Sequence, residues 1–364
     1  MEFIDLKTQQ ALIKSEIDAR IAAVLAHGRY ILGPEVVEVE QQLEAYVGVK
    51  NCLTVASGTD ALLIALMALG VGPGDEVVTV PYTWISTAEV IALTGAKPVF
   101  VDIDERTWNM DPALLEAAIT EKTKAIMPVG IYGQSADLKA INTISEKYGN
   151  IPVIEDAAQC FGATHHGRKA CSDTLIGCTS FFPSKPLGCY GDGGAVFTND
   201  CDVADKMRQI RVHGQARKHF HPILGLNGRM DTMQAAILIP KLAIFDGEIT
   251  KRQEVAARYS EAIRSNSDRI VTPYVAEENT SVWAQYTILS EDRDELSKAL
   301  GEAGVPSVSY YATPLHLQPV FENLGHKKGD FPVTERVADQ CLSLPMNPYL
   351  SDEDIDTVCK ACSS

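Results

Sequence analysis

The stretch Cys52-Leu53-Thr54-Val55-Ala56-Ser57-Gly58-Thr59-Asp60-Ala61-Leu62 decides the fold. Cys52 to Val55 is short and apolar, as a buried strand is, and it runs into a small-residue turn. Beyond the turn Ala61, Leu62, Ala65, Leu66 and Leu69 fall on one helical face. Working outward, the same succession recurs. Glu76 to Val80, Lys97 to Asp102, Thr123 to Pro128 and Ile151 to Glu155 read as buried strands. Helical segments near 85–93, 112–119 and 137–148 separate them. Further strands are predicted at Cys178 to Phe182 and Gly194 to Thr198. Strands alternating with helices predict an α/β fold, a mostly parallel central sheet covered by helices.

Upstream, Glu16 to Ala26 and Pro34 to Tyr46 read as amphipathic helices, the second opened by a proline where a first-turn residue needs no donor. Downstream the pattern changes near Arg229 to a long helix through Ala243, with Pro240 kinking or ending it, and a second helix from Glu248 to Arg264. The domain boundary is therefore expected near residue 245. Residues 1–245 form a large domain and 246–364 a smaller α+β one. The smaller domain has strands at Trp283 to Leu289 and Val305 to Tyr310, and helices around 293–303, 332–340 and 351–361.

The chain has 364 residues, 46% of them hydrophobic, enough for a substantial core. Lys and Arg number 32 against 48 Asp and Glu, a net charge of −16 that repels phosphate backbones and anionic bilayers. Nucleic acid is not expected as a partner. The longest apolar run, Ala61 to Val71, is far below the roughly 18 to 20 residues of a membrane span. Met1 to Asp5 carries neither a basic nor an apolar leader pattern, so a cytoplasmic location is expected. Nine cysteines, an odd number without framework spacing, suit a reducing compartment. Cys359-Lys360-Ala361-Cys362 has no second ligand pair and reads as two thiols on a final helix.

Three motifs carry chemistry. Ser57-Gly58-Thr59-Asp60 opens a helix, whose free amides and positive dipole end suit an anion; a capping box accounts for the same polar residues. In Ile151-Pro152-Val153-Ile154-Glu155-Asp156-Ala157-Ala158-Gln159, two carboxylates arrive where ligands bind in open α/β sheets. An acid there needs a cationic partner, unless it is an ordinary helix N-cap. No histidine or cysteine stands nearby at metal-ligand spacing, so a metal is disfavoured. In Thr179-Ser180-Phe181-Phe182-Pro183-Ser184-Lys185-Pro186, a lysine leaves an aromatic strand end. A lysine held there can lose its proton and attack a carbonyl, although an isolated loop lysine is ordinarily solvated surface. Together the motifs ask for one ligand with an anionic group, a cationic ring nitrogen and an aldehyde. Pyridoxal 5′-phosphate has all three, and its ring withdraws electrons well only while the nitrogen stays protonated. At an effective dielectric near 20, a carboxylate about 4 Å from that nitrogen contributes on the order of 4 kcal/mol, enough to hold the proton at neutral pH.

The sequence resembles the sugar-nucleotide aminotransferases, the DegT-type enzymes of PLP fold type I, from Phe3 to about Tyr349. The resemblance rests on Tyr30-Ile31-Leu32-Gly33-Pro34, Ser57-Gly58-Thr59-Asp60-Ala61-Leu62, Glu155-Asp156-Ala157-Ala158-Gln159, Ser180-Phe181-Phe182-Pro183-Ser184-Lys185 and Asn227-Gly228-Arg229-Met230-Asp231. It implies that Lys185 forms the Schiff base and moves the proton, and that Asp156 pairs with the pyridine nitrogen. It also implies that Gln159 reaches the phenolic oxygen and that Gly58, Thr59 and Ser180 hold the phosphate. Asn227 would join them from the other subunit, and Trp84 would stack on the ring. The implied assembly is a homodimer with shared sites.

Within that family the chain most resembles the branch acting on UDP-2-acetamido-2-deoxy-3-oxo-glucuronate with glutamate as donor, in lipopolysaccharide or O-antigen synthesis. There Arg229 is expected to meet a substrate carboxylate, and a bidentate fork suits the task. Arg211, His213, Arg217, Lys218, His219 and His221 supply further basic groups for an anionic sugar nucleotide. Tyr310, Tyr311 and His316 are expected to approach the sugar. Their run, Ser309-Tyr310-Tyr311-Ala312-Thr313-Pro314-Leu315-His316, departs from a usual His-Tyr-Pro pattern, with Tyr310 in the histidine's place and Ala312 in the proline's. A 4-keto-6-deoxy nucleotide sugar is the alternative substrate. Readings of another class are a PLP sugar dehydratase, which carries histidine at the lysine position, and a non-catalytic sugar-nucleotide-binding relative.

Overall fold

The computed structural model describes residues 1–362. Its strands, in chain order, are β1 (Asn51–Val55), β2 (Glu76–Thr79), β3 (Lys97–Phe100), β4 (Thr123–Ile126), β5 (Ile154–Asp156), β6 (Thr164–His165), β7 (Arg168–Lys169), β8 (Ile176–Ser180), β9 (Gly194–Thr198), β10 (Ile270–Val271), β11 (Tyr286–Ser290) and β12 (Cys341–Leu344). Parallel ladders join β3, β2 and β4, and another joins β5 to β8. Parallel bridges at Ile126–Val153 and Val129–Asp156 connect the two groups. The central sheet thus runs β3-β2-β4-β5-β8-β9-β1, with β9 alone antiparallel to its neighbours. This is the mostly parallel, helix-covered α/β sheet that the sequence predicts.

Alternation along the strands fills both faces. Leu53, Val55, Ile154, Cys178 and Val196 pack with Ala61, Ile64, Ala65 and Leu66 of the helix Gly58–Ala68. Cys52, Ala195 and Phe197 turn the other way, into a cluster with Phe161, Phe181 and Phe245. Asp156 and Glu155, adjacent on β5, are divided between the faces by the same two-residue period.

The helix after Arg229 differs from its sequence reading. Thr232–Asn266 is one helix of 35 residues with Pro240 inside it, so the proline does not end it and there is no second helix start at Glu248. Pro240 withholds one hydrogen bond, but Ala236, Ile237, Leu238, Ile239, Lys241 and Phe245 around it are all buried. Packing on both sides of the proline outweighs the lost bond. Beyond it, β10, β11 and β12 form a separate antiparallel sheet. Tyr259, Ile263, Tyr286, Ile288, Leu342 and Leu344 make a core of their own there. Val305 to Tyr310 is not a strand: only Val308 bridges to Ser343. The short strand Cys341–Leu344 was not apparent from the sequence, nor was the helix Cys201–Ile210. The final helix, Asp352–Ala361, opens with a capping box between Ser351 and Asp354. Of the stretch 246–364, Ser363 and Ser364 lie outside the described residues. Among the described residues no helix is long and apolar enough to cross a membrane.

Candidate active site

A cavity of about 370 Å³ opens at the carboxyl ends of β5 and β8 and at the amino end of the helix Gly58–Ala68. Ligands in open α/β sheets bind at such a place. Gly58, Thr59, Trp84, Asp156, Gln159, Ser180, Lys185, Tyr310 and Tyr311 all line it, although they come from distant parts of the chain.

Asp156 ends β5 with its carboxylate buried. Thr87 Oγ1 donates to its Oδ2 at 2.9 Å and the Ala158 N–H to its Oδ1 at 3.2 Å. Burial pushes the carboxyl above its ordinary range, while these donors and the Lys185 charge pull it back. Lys185 sits in a turn whose backbone N–H bonds to the Phe182 carbonyl. Burial lowers the pKa of its ammonium, opposed by Asp156. The two groups therefore perturb one another across the same cavity, a common condition of catalytic pairs.

The amino end of the helix is built for close approach. Ser57 Oγ accepts the Asp60 N–H at 3.0 Å, so part of the capping-box reading holds. The amides of Gly58 and Thr59 have no hydrogen-bond acceptor among the described residues. A Cβ at Gly58 would lie 2.6 Å from the Ser180 Cβ, so only glycine lets the helix end meet the end of β8. Thr59 Oγ1 and Ser86 Oγ are 2.9 Å apart. Gln159 Oε1 accepts the Tyr132 N–H at 3.1 Å, and its Nε2 donates to Tyr311 Oη at 2.9 Å. Trp84, 61% exposed, stands at the rim with its ring face available.

Other residues singled out in the sequence are elsewhere. Asn227 and Arg229 line a neighbouring recess with Asp60, Asp192 and Asp231, which shares Ser57 and Asp192 with the cavity. The Nε of Arg229 is buried there without a partner. His316 is a correction: it is 2% exposed, does not line the cavity, bonds Glu335 at 3.0 Å and packs on Phe331 at 4.7 Å. The chain turns inward after Pro314, and the ring joins an aromatic cluster with Phe100 and Phe331. Arg211 likewise is not a free cation for a substrate: it is buried and bonds Glu40 at 2.6 Å and the Thr54 carbonyl at 2.8 Å. Thr87, Ser86, Tyr132 and Gln285 were not found from the sequence; each matters only through a contact that folding creates. Among the described residues no group of three or more His, Cys, Asp or Glu side chains could hold a metal ion.

The model of the DegT/DnrJ/EryC1/StrS aminotransferase family matches residues 11–363. The chain belongs to this family. It is 55% identical, over 100% of both chains, to the UDP-2-acetamido-2-deoxy-3-oxo-D-glucuronate aminotransferase of Pseudomonas aeruginosa. A DegT DnrJ EryC1 StrS aminotransferase from Brucella abortus superposes with a TM-score of 0.96 at 44% identity, covering 100% of this chain and 98% of that one. NtdA from Bacillus subtilis, solved with bound cofactor PMP, superposes with a TM-score of 0.91 at 32% identity, covering 99% of this chain and 82% of that one. The fold is therefore that of fold type I PLP-dependent aminotransferases, and the chain is a PLP-dependent enzyme of this family. Its cavity fits the cofactor: two unpartnered amides in a glycine-dependent cradle suit a phosphate, and Asp156 and Lys185 supply the acid and the amine.

Proposed function

We propose that this protein moves an amino group from L-glutamate to C3 of a UDP-linked 2-acetamido-2-deoxy-3-oxo-glucuronate. The observation that carries the aminotransferase reading is the joint placement of Lys185 and Asp156 in one cavity beside the free amides of Gly58 and Thr59. The full-length likeness to the Pseudomonas aeruginosa enzyme supports the choice of sugar. When bound, pyridoxal 5′-phosphate supplies an electron sink and a temporary carrier for the amino group.

The chain's own residues do the rest. Lys185 Nζ would hold the cofactor through its aldehyde and, once displaced by the donor's amine, would be the free base that takes the proton from the donor's Cα, a task favoured by its lowered pKa. Asp156 would hold a proton on the ring nitrogen, its own carboxylate fixed by Thr87 and Ala158. Gly58, Thr59 and Ser180 would hold the phosphate, Gln159 would donate to the phenolic oxygen, and Trp84 would cover the ring face. Tyr310 and Tyr311 present their hydroxyls to the sugar; phenols are protonated at neutral pH and able to donate, and burial shifts both further in that direction. Asn227 and Arg229, outside the cavity of their own chain, serve the site of a second copy in a homodimer, where Arg229 meets the uronate carboxylate. Most of the cysteines are buried thiols, which supports a cytoplasmic enzyme feeding lipopolysaccharide or O-antigen synthesis. The division into a large and a small domain falls near residue 245, inside the long helix.

A departure at the sugar-facing loop bears on the choice of sugar, for which a 4-keto-6-deoxy nucleotide sugar is the alternative. Tyr310 and Ala312 break the His-Tyr-Pro pattern there. Purified protein given glutamate and either the 3-oxo-uronate or a 4-oxo sugar, with product masses measured, tests both. Amination of the 3-oxo-uronate supports the first reading; reaction only with sugars that lack a carboxylate refutes it and the role of Arg229.

A further inference from the structure

Tyr311 reaches the cavity from a segment far along the chain from the cofactor motifs, and its hydroxyl ends on one of them. Gln159 Nε2 donates to Tyr311 Oη at 2.9 Å while Gln159 Oε1 accepts the Tyr132 N–H at 3.1 Å. Those two bonds fix which way the amide faces and leave one amide hydrogen unused. The Tyr311 ring is itself seated. It stacks on Tyr132 with centroids 6.1 Å apart, and meets Tyr82 edge-on at 5.8 Å. The hydroxyls of Tyr82 and Tyr132 are 2.7 Å apart beneath it. Tyr311 has a φ of +61°, a left-handed conformation that a bulky residue keeps only where its surroundings hold it. Its neighbours Tyr310 and Ala312 take the opening and the outside of the same loop.

We infer that Tyr311 is a positioning residue for Gln159: its hydroxyl oxygen holds the amide so that the remaining N–H points at the phenolic oxygen of bound cofactor. The sugar-facing loop is thereby tied to the electronic state of the cofactor. This role rests on the proposed seat of the cofactor between Lys185 and Gln159. A hydrogen bond donated to an ionised oxygen favours the anion. It therefore lowers the pH at which the cofactor's visible band titrates. Phenylalanine at 311 keeps the stacked ring and removes one of the two anchors of the amide. The terminal torsion of glutamine is broad, so the amide then wanders and the donation weakens.

The test is a pH titration of the visible band of enzyme reconstituted with pyridoxal 5′-phosphate, in wild type, Tyr311→Phe, Tyr310→Phe, Gln159→Leu and the Gln159→Leu/Tyr311→Phe double variant. The midpoint rises in Tyr311→Phe by about half a pH unit, roughly threefold in proton affinity. Tyr310→Phe stays at the wild-type midpoint, and Tyr311→Phe adds nothing once Gln159 is leucine. A wild-type midpoint in Tyr311→Phe, an equal rise in Tyr310→Phe, or additive rises in the double variant overturns the inference. Failure of Tyr311→Phe to retain cofactor at saturation also overturns it, since Lys185 remains. Wild-type protein showing no visible band with cofactor added overturns instead the cofactor seat on which it rests.

Discussion

Thr87 Oγ1 donates to Asp156 Oδ2 across 2.9 Å, joining the helix Ser86–Leu93 to the carboxyl end of β5. Desolvation works against an ionised Asp156, and this bond is one of the few things working for it. Thr87→Val keeps the shape and removes the donor. A hydrogen bond to a charged group contributes about 1.5 kcal/mol or more, so kcat should fall roughly tenfold. The sugar KM should change little. Steady-state kinetics check this, and an unaltered kcat contradicts the role given to Asp156.

Gly58 offers a second test. Its missing Cβ is the space into which Ser180 packs, 2.6 Å from where that carbon would be. Gly58→Ala would ordinarily help a helix. Here it should part the helix end from β8 and weaken cofactor binding by about tenfold, near 1.4 kcal/mol. Titrating apoenzyme with pyridoxal 5′-phosphate measures it, and equal affinity in the variant refutes the cradle.

Glu155 faces away from the cavity, and its carboxyl is pushed up to about 7 by burial, against an ordinary value of 4.5. It accepts the Cys171 N–H at 2.6 Å and the Ser135 hydroxyl at 3.0 Å. A raised carboxyl pKa means that the folded state binds the proton more tightly than the unfolded one. Its contribution to stability is therefore complete below about pH 4.5 and is lost as pH rises toward 7, by about 3 kcal/mol in all. Glu155→Gln mimics the protonated form and should flatten that slope by one proton. Denaturant unfolding of both proteins across the interval checks it; parallel slopes would count against a shifted Glu155.

His316 belongs to the packing between Glu335 and Phe331. His316→Ala should cost roughly 2 to 4 kcal/mol of stability, as a truncated core ring does. The sugar KM should stay within about twofold of wild type, since no uniform binding is removed. A large KM rise in a folded variant would return His316 to the site.

Most of the sheet was legible in the sequence because its strands are short runs rich in apolar residues between helical segments, and several run out into small residues, as at Val55 to Gly58. The lysine, the carboxylate and the helix end were legible for a related reason: each stands at such an end. Pro240 misled because local propensity speaks for a break, while burial along the whole helix speaks against one. Thr87 and Tyr132 were illegible because one acts through a hydroxyl and the other through a backbone N–H. Neither leaves a mark at the level of residue type. His316 was misplaced because nearness in sequence to Tyr311 does not survive the inward turn at Pro314.

Borohydride reduction of the protein with pyridoxal 5′-phosphate, followed by peptide mapping, locates the covalent attachment expected at Lys185. Lys241 is the natural rival, a buried lysine whose ammonium is lowered to about 8. The reduced adduct is expected on the peptide bearing Lys185, with none in Lys185→Ala. An adduct mapped to Lys241, or no adduct at all, would contradict it.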